Sequence, residues 1–217
     1  MSLQEAERLI ATASEGGTFL RLNNLGLTEL PASVGALSNL TNLELRDNAL
    51  TSVPDSFAGL TNLSNLDLSG NQLTELPPPI FELTNLSVLS ANDNQITSLP
   101  EAVAQLPRLY RLTLGRNELT ELPTSIGQLP NLDEVYLSSN RLTELPDSLG
   151  QLQRLAQLYA GKNQLTSVPE SLASLPLLRR LYLADNRVEA LPAAFDALGA
   201  RCELYVDRNP LAGQQAE

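Results

Sequence analysis

The sequence predicts an α/β solenoid, with one short strand per repeat stacked into a single parallel sheet. Three observations predict it. A 23-residue pattern starts at Leu37 and returns at Leu60, Leu83, Leu106, Leu129, Leu152 and Leu175. An asparagine column, Asn48, Asn71, Asn94, Asn117, Asn140, Asn163, Asn186 and Asn209, runs through it unbroken. So does a proline column from Pro31 through Pro54, Pro77, Pro100, Pro123, Pro146 and Pro169 to Pro192. A fixed period of this kind means one supersecondary unit repeated, each unit burying the apolar face of its neighbour.

Residues 1–217 are expected to form one domain, opened by a capping helix over 2–13. Ser2 and Glu5 make a capping box, and Leu3, Ala6, Leu9, Ile10 and Ala13 share one helical face. Gly16-Gly17 ends that helix, which should cover the open core of the first repeat. Eight repeats follow over 14–197; in the first, Leu25 stands in the asparagine position, where no preceding repeat offers groups to bond. In each repeat a Leu-x-Leu pair, such as Leu43 and Leu45, has period two and turns both side chains inward from a strand. The asparagine then turns the chain, its amide both donating and accepting to backbone groups, so that stacked repeats place these amides in a ladder. The following leucine (Leu50, Leu73) returns to the core, and the proline holds its predecessor extended while removing a donor. About eight residues remain, too few for a long helix, so short turns, 3-10 pieces or polyproline-like segments are expected. Phe57, Ile80, Val103, Ile126, Leu149, Leu172 and Phe195 should point inward from them. Residues 198–217 read as a truncated repeat and C-terminal cap, with Leu204-Tyr205-Val206 as a last strand and Asn209-Pro210-Leu211 as a last turn. Either the segment from Leu211 to Glu217 is a minimal cap or the chain is cut from a longer protein.

Composition excludes several functions. The formal charge is −11, which opposes electrostatic binding to nucleic acid or anionic lipid. Residues 1–105 hold 12 acidic groups against Arg8, Arg21 and Arg46; residues 106–217 hold 13 against 11 basic ones. Cys202 is the only cysteine, so no internal disulfide forms, which suits a cytoplasmic protein, or an effector delivered into a host cell. It is expected to be exposed in the last repeat. No secretory signal and no apolar run long enough to cross a bilayer is present. There is no histidine, so triads and imidazole metal sites lose their usual members, and no cofactor or metal is expected. Gly161-Lys162-Asn163 is not a phosphate loop, because Asn163 belongs to the turn column. The glycosylation sequons at Asn39, Asn62 and Asn85 read as by-products of the repeat. Glu44 and Asp67 should face each other on adjacent strands, ~5 Å apart, but an open sheet offers no pocket to shift their titration. The chain is not expected to be an enzyme.

Function should be written in the outward strand positions. The column between the paired leucines reads Arg21, Glu44, Asp67, Ser90, Thr113, Tyr136, Tyr159, Tyr182, Tyr205. Strands ~4.8 Å apart would let the four tyrosines stack. Asn42, Asp47, Asn65, Asn92 and Asp93 join Glu44 and Asp67 at the N-terminal end. Arg111, Arg116, Lys162, Arg180 and Arg208, mixed with Glu134, Asp185 and Asp207, lie towards the other, which suggests a bipolar face. Ser69, Gly115, Ser138, Gly161 and Ala184 should leave a groove beside the tyrosines. Tyrosine and arginine are enriched at binding hot spots, while tyrosine is also a common residue for a half-exposed strand.

The pattern L-x-x-L-x-x-L-x-L-x-x-N-x-L-T-x-L-P-x-S-φ-G-x resembles leucine-rich repeats over residues 14–211. It is most similar to the 23-residue intracellular kind of Ras-group-related plant proteins, Scribble-type scaffolds, and Roco and bacterial repeat domains. Glu5-Ala6 to Pro31 also resembles the opening of some bacterial domains. The paired-cysteine caps of extracellular members are absent. The resemblance implies a right-handed curved horseshoe that binds a protein or peptide on its concave face, as a monomer and without catalysis. The residues expected to bind are Tyr136, Tyr159, Tyr182, Tyr205, Arg111, Arg116, Arg180, Glu44 and Asp67. The alternative is the targeting or regulatory domain of a larger enzyme, such as a kinase, a Roco GTPase or an effector ubiquitin ligase. Against an engineered consensus array stand Pro77-Pro78-Pro79 and the alanines Ala91 and Ala160 in leucine positions.

Overall fold

The computed structural model describes residues 2–212. Nine strands lie in one sheet in chain order: β1 (Phe19–Arg21), β2 (Asn42–Glu44), β3 (Asn65–Asp67), β4 (Val88–Ser90), β5 (Arg111–Thr113), β6 (Glu134–Tyr136), β7 (Gln157–Tyr159), β8 (Arg180–Tyr182) and β9 (Glu203–Tyr205). All neighbours are parallel and in register, so each residue faces its counterpart one repeat on. The middle residue of β2 to β8 is buried, as period two requires.

The asparagine amides tie the repeats together. Asn117 Oδ1 accepts from the Ile96 N–H at 3.0 Å. Its Nδ2 donates back to Ala91 at 2.9 Å and to Leu114 at 3.1 Å in its own turn. The same set repeats from Asn71 to Asn186, all buried. In the first repeat the Leu25 and Leu27 N–H groups both donate to Asn48 Oδ1, so Leu25 needs no amide of its own.

A second column was not anticipated. The residue before each asparagine position is left-handed: Asn24, Asp47, Gly70, Asp93, Arg116, Ser139, Lys162, Asp185 and Arg208, with φ between 53 and 70°. Asparagine, aspartate and glycine tolerate that conformation, but arginine and lysine pay roughly 1–2 kcal/mol for it. The buried amide bonds that the turn makes offset the cost.

The opposite side carries short 3-10 turns, each opening after its proline, as at Asp55–Gly59 after Pro54 and Asp147–Gln151 after Pro146. Their apolar column from Phe57 to Leu172 is fully buried. Packing between turns is tight: a Cβ at Gly127 would lie 2.3 Å from the Ser148 carbonyl oxygen. Only the eighth repeat departs, with a short helix (α2, Phe195–Leu198) in that slot.

Both ends refine the expectations. The helix α1 (Ser2–Ala13) buries Ala6 and Ile10, with Leu9 and Ala13 packed beside them, whereas Leu3 stays 37% exposed, so the face from Ala6 onward does the covering. The Glu5 carboxylate binds Arg8 at 2.6 Å; the Ser2 side chain of the expected capping box lies outside the described ones. The last strand starts one residue earlier than expected, at Glu203. Cys202 is buried, not exposed, because it packs into the core beneath that strand, and burial pushes its thiol pKa up. Residues 213–217 of the suggested minimal cap lie outside the described part.

Replacing Asn117 with alanine strands the buried Ile96 N–H, at roughly 1–3 kcal/mol, and leaves the Ala91 carbonyl with the Asn94 amide alone. Urea unfolding should show a loss of about 1–3 kcal/mol, with cooperativity retained.

Candidate partner-binding face

The outward sheet positions stand on a rigid frame. Tyr136 and Tyr159 stack with ring centres 4.7 Å apart and planes within 6°. Tyr159 and Tyr182 are 6.1 Å apart at 29°, and Tyr182 and Tyr205 are 5.5 Å apart at 38°. The order decays because the hydroxyls are held differently. Glu134, buried at 6% exposure, accepts from Arg111 at 2.6 and 3.0 Å and from the Tyr110 and Tyr136 hydroxyls at 3.1 Å each. The Arg111 guanidinium keeps this carboxyl below its usual range. Burial, and then the hydrogen bond to Glu134, push the Tyr136 phenol up to about 12. The Tyr159 hydroxyl bonds Gln157 and accepts from Arg180, both at 3.2 Å. Tyr182 turns the other way and lies over Gly161, where a Cβ would meet its Cε1 at 2.5 Å.

The expected bipolar face is corrected. Its arginines pair with acids one strand away: Arg21 with Glu44 at 2.7 Å, Arg46 with Asp67 at 2.5 Å, Arg111 with Glu134 at 2.6 Å, Arg116 with Asp93 at 3.2 Å and Arg180 with Glu203 at 2.8 Å. Arg208 pairs with Asp185. Adjacent strands put opposite charges within contact, so they neutralise each other along the face instead of dividing it. Lys162 has no carboxylate within 4 Å among the described residues. Glu44 and Asp67 do face each other across β2 and β3, each occupied by its own arginine, and the Arg21 pairing lowers the pKa of Glu44.

Two hollows adjoin the tyrosines on this face. The larger, about 560 Å³, runs from Glu44 and Arg46 across Asp67, Ser90 and Thr113 to the Tyr136 wall. Its short side chains, between long charged ones and tyrosine, were visible in the column but not singled out. The second follows the exit side of the tyrosines, between Arg116, Ser138, Ser139, Lys162 and the rings of Tyr136, Tyr159 and Tyr182. Of the expected groove residues, Gly115 and Ser138 line it; Gly161 is buried beneath Tyr182, and Ala184 is buried too. Tyr205, 39% exposed, ends the ladder outside both hollows.

Other motifs resolve into structure. The Asn62 and Asn85 amides of the sequons donate to the Ser38 and Thr61 carbonyls of the preceding repeat, at 2.8 and 2.7 Å. Among the described residues, no cluster of three or more His, Cys, Asp or Glu could hold a metal, and no helix is long and apolar enough to cross a membrane.

A leucine-rich repeat profile matches residues 18–73, 61–119, 107–165 and 130–188. The chain belongs to the leucine-rich repeat family. No well-characterised protein matches this repeat protein significantly in sequence. Among solved structures it is similar to a leucine-rich repeat protein of Leptospira interrogans, with 37% identity and a TM-score of 0.86 over 90% of this chain and 50% of that one. It is also similar to the effector YopM of Yersinia pestis, at 28% identity and TM-score 0.76 over 96% of this chain and 54% of YopM. The Arabidopsis receptor kinase HAESA, solved with the peptide hormone IDA and the co-receptor SERK1, matches at 30% identity and TM-score 0.74 over 85% of this chain and 32% of HAESA. The repeat chain thus spans about half the length of the two bacterial proteins.

The raised Tyr136 pKa carries a sign. The unfolded phenol ionises near 10 and the folded one near 12. The neutral form is therefore favoured by folding, and its contribution is complete below pH 10 and lost as pH rises through 12. Absorbance titration should show a late-ionising tyrosine that disappears in Tyr136→Phe, and that variant should lose less stability than wild type over this window.

Proposed function

We propose that this protein is a non-enzymatic module that holds a protein or peptide partner on its concave face, acting as a monomer. The observation that carries this reading is the stack of Tyr136 on Tyr159, held by the saturated Glu134 carboxylate beside two hollows. Aromatic rings already fixed in one rotamer bind with little further ordering cost. An apolar or acidic part of the partner would lie along Tyr136, Tyr159 and Tyr182 and reach Lys162. Arg111, Arg116, Arg180 and Tyr205 frame that contact. A polar part would enter the larger hollow, beside the paired Glu44 and Asp67. The peptide-bound HAESA complex supports partner binding by a related scaffold.

A second reading makes the chain the targeting domain of a larger enzyme, in line with its coverage of only part of each related structure. The proposed setting is the cytoplasm, or a host cell if the protein is an effector delivered there; a lone thiol supports a reducing compartment.

Replacing Tyr136, Tyr159 and Tyr182 together with alanine should weaken a partner captured by the wild type by several kcal/mol, because central aromatic anchors dominate interface energy. Calorimetry with that partner measures it, and thermal unfolding checks that the fold is kept. Unchanged affinity sinks the concave-face reading.

A further inference from the structure

The flank where the chain enters the C-terminal strands carries a surface that borders the concave face and whose exposed side chains the concave-face reading does not use. Tyr110, Asp133, Ala156 and Arg179 each precede the first residue of a strand, from β5 to β8. The Asp133, Ala156 and Arg179 N–H groups donate in turn to the Tyr110, Asp133 and Ala156 carbonyls, each at 2.9 Å. The four side chains therefore form one row on adjacent strands, ~4.8 Å apart. Ala156 is small, which opens a hollow between Asp133 and Arg179. Two residues earlier in the chain, Arg154 and Leu177 occupy matching positions in consecutive repeats.

Two independent features mark this flank. Leu177 is 44% exposed and Tyr110 39%, in a protein that buries almost all of its leucine. Its arginines are also uncommitted. Across the concave face, arginines are paired with acids one strand away. Among the described residues, Arg154 and Arg179 have no carboxylate within 4 Å. Arg201 nearby is tied to the Leu175 and Ala173 carbonyls, at 2.7 and 2.8 Å, and adds its charge without a counter-ion. Asp133, half-buried, is the one acid of the row; burial raises its pKa, and it feels both Arg179 and Arg154. Glu134 and Glu203 also line the hollow, but each is paired, with Arg111 and with Arg180. The charges left unpaired are Asp133 against Arg154, Arg179 and Arg201, a positive remainder within a chain of charge −11. A surface that only solvates would interleave its signs, as Arg141 and Glu118 do at 3.0 Å on the turn side. Exposed leucine and tyrosine beside unpaired arginine is the composition of a binding patch.

We propose that this strand-entry flank is a second protein-docking surface, taking an acidic segment whose carboxylates meet Arg154 and Arg179 and whose apolar side chains seat on Leu177 and on Tyr110. Charge complementarity selects the occupant. A nucleic acid would meet few free cations and the repulsion of the whole acidic chain. The site adjoins the tyrosine ladder through Glu134 but presents different side chains to a partner.

The test uses the full chain and three fluorescein-labelled probes: a glutamate-rich decapeptide containing leucines, its lysine-rich counterpart, and a decathymidylate. Anisotropy should show binding of the acidic peptide alone, weakening with salt. Arg154→Glu with Arg179→Glu should lower its affinity at least about tenfold, and Leu177→Ser, which leaves the charges in place, by about tenfold, or ~1.4 kcal/mol. Tyr182→Ala, which removes a ladder ring that makes no bond to the Glu134 cluster, should leave it unchanged, and amide shift changes should gather at Tyr110, Ala156 and Arg179. No binding of the acidic peptide, equal or tighter binding of either other probe, or indifference to both flank variants overturns the proposal. Loss in the tyrosine variant with retention in the arginine variant also overturns it, and would place acidic segments on the concave face instead.

Discussion

The structure depends on one interaction, the buried side-chain amide that spans from each repeat to the one before. An asparagine such as Asn140 accepts from the Leu119 N–H at 3.0 Å and donates to Leu114 at 2.9 Å, in the preceding repeat, and to Leu137 in its own. No other uncharged side chain of that length both donates and accepts in one plane. The amide fixes the stacking register at one full repeat, and it satisfies turn carbonyls that the tight bend would otherwise leave unpaired. The left-handed residue before it brings the amide inward. This explains how lysine and arginine come to occupy a conformation they disfavour at Lys162, Arg116 and Arg208.

Register then determines the chemistry of the face. Because every strand residue faces its counterpart, a column of like residues becomes a row of contacts at strand spacing. For tyrosine this produces stacking. For charge it produces neutralisation, since opposite signs in neighbouring repeats fall within reach: Arg111 meets Glu134, and Arg180 meets Glu203. Pairs exposed on both sides, such as Arg180 with Glu203, add roughly 0–1 kcal/mol of stability each. Their larger effect is to remove charge from the surface offered to a partner. What remains available is the aromatic stack, Lys162, and the unpaired arginines on the strand-entry flank. A partner therefore meets aromatic rings and isolated cations rather than a broad electrostatic field.

The Glu134 cluster links the two surfaces. Its carboxylate binds Tyr136 on the concave side and Tyr110 on the flank, with Arg111 between them. A buried carboxylate with every acceptor position occupied is a rigid support, because withdrawing one partner would leave charge partly uncompensated. The well-ordered end of the tyrosine ladder is the end that rests on it.

The sequence by itself determined the architecture. Period two sets which strand residues point inward, the 23-residue period sets which residues become neighbours, and the proline and asparagine columns set where the chain extends and turns. These are local rules repeated until no other fold satisfies them. It also placed the tyrosines in one row and Glu44 beside Asp67. Only the tertiary structure decided what those rows do. The left-handed column carried only a broken signal, with Asn24, Asp47, Gly70, Asp93 and Asp185 suited to the conformation but Arg116, Lys162 and Arg208 not, because the turn imposes it from outside. The pairing of the arginines, the rotation of Tyr182 onto Gly161, the burial of Cys202 and the hollow over Ser90 and Thr113 depend on rotamers chosen between residues a whole repeat apart. Side-chain direction there is set by contact across strands, and that contact exists only once the solenoid has closed its register.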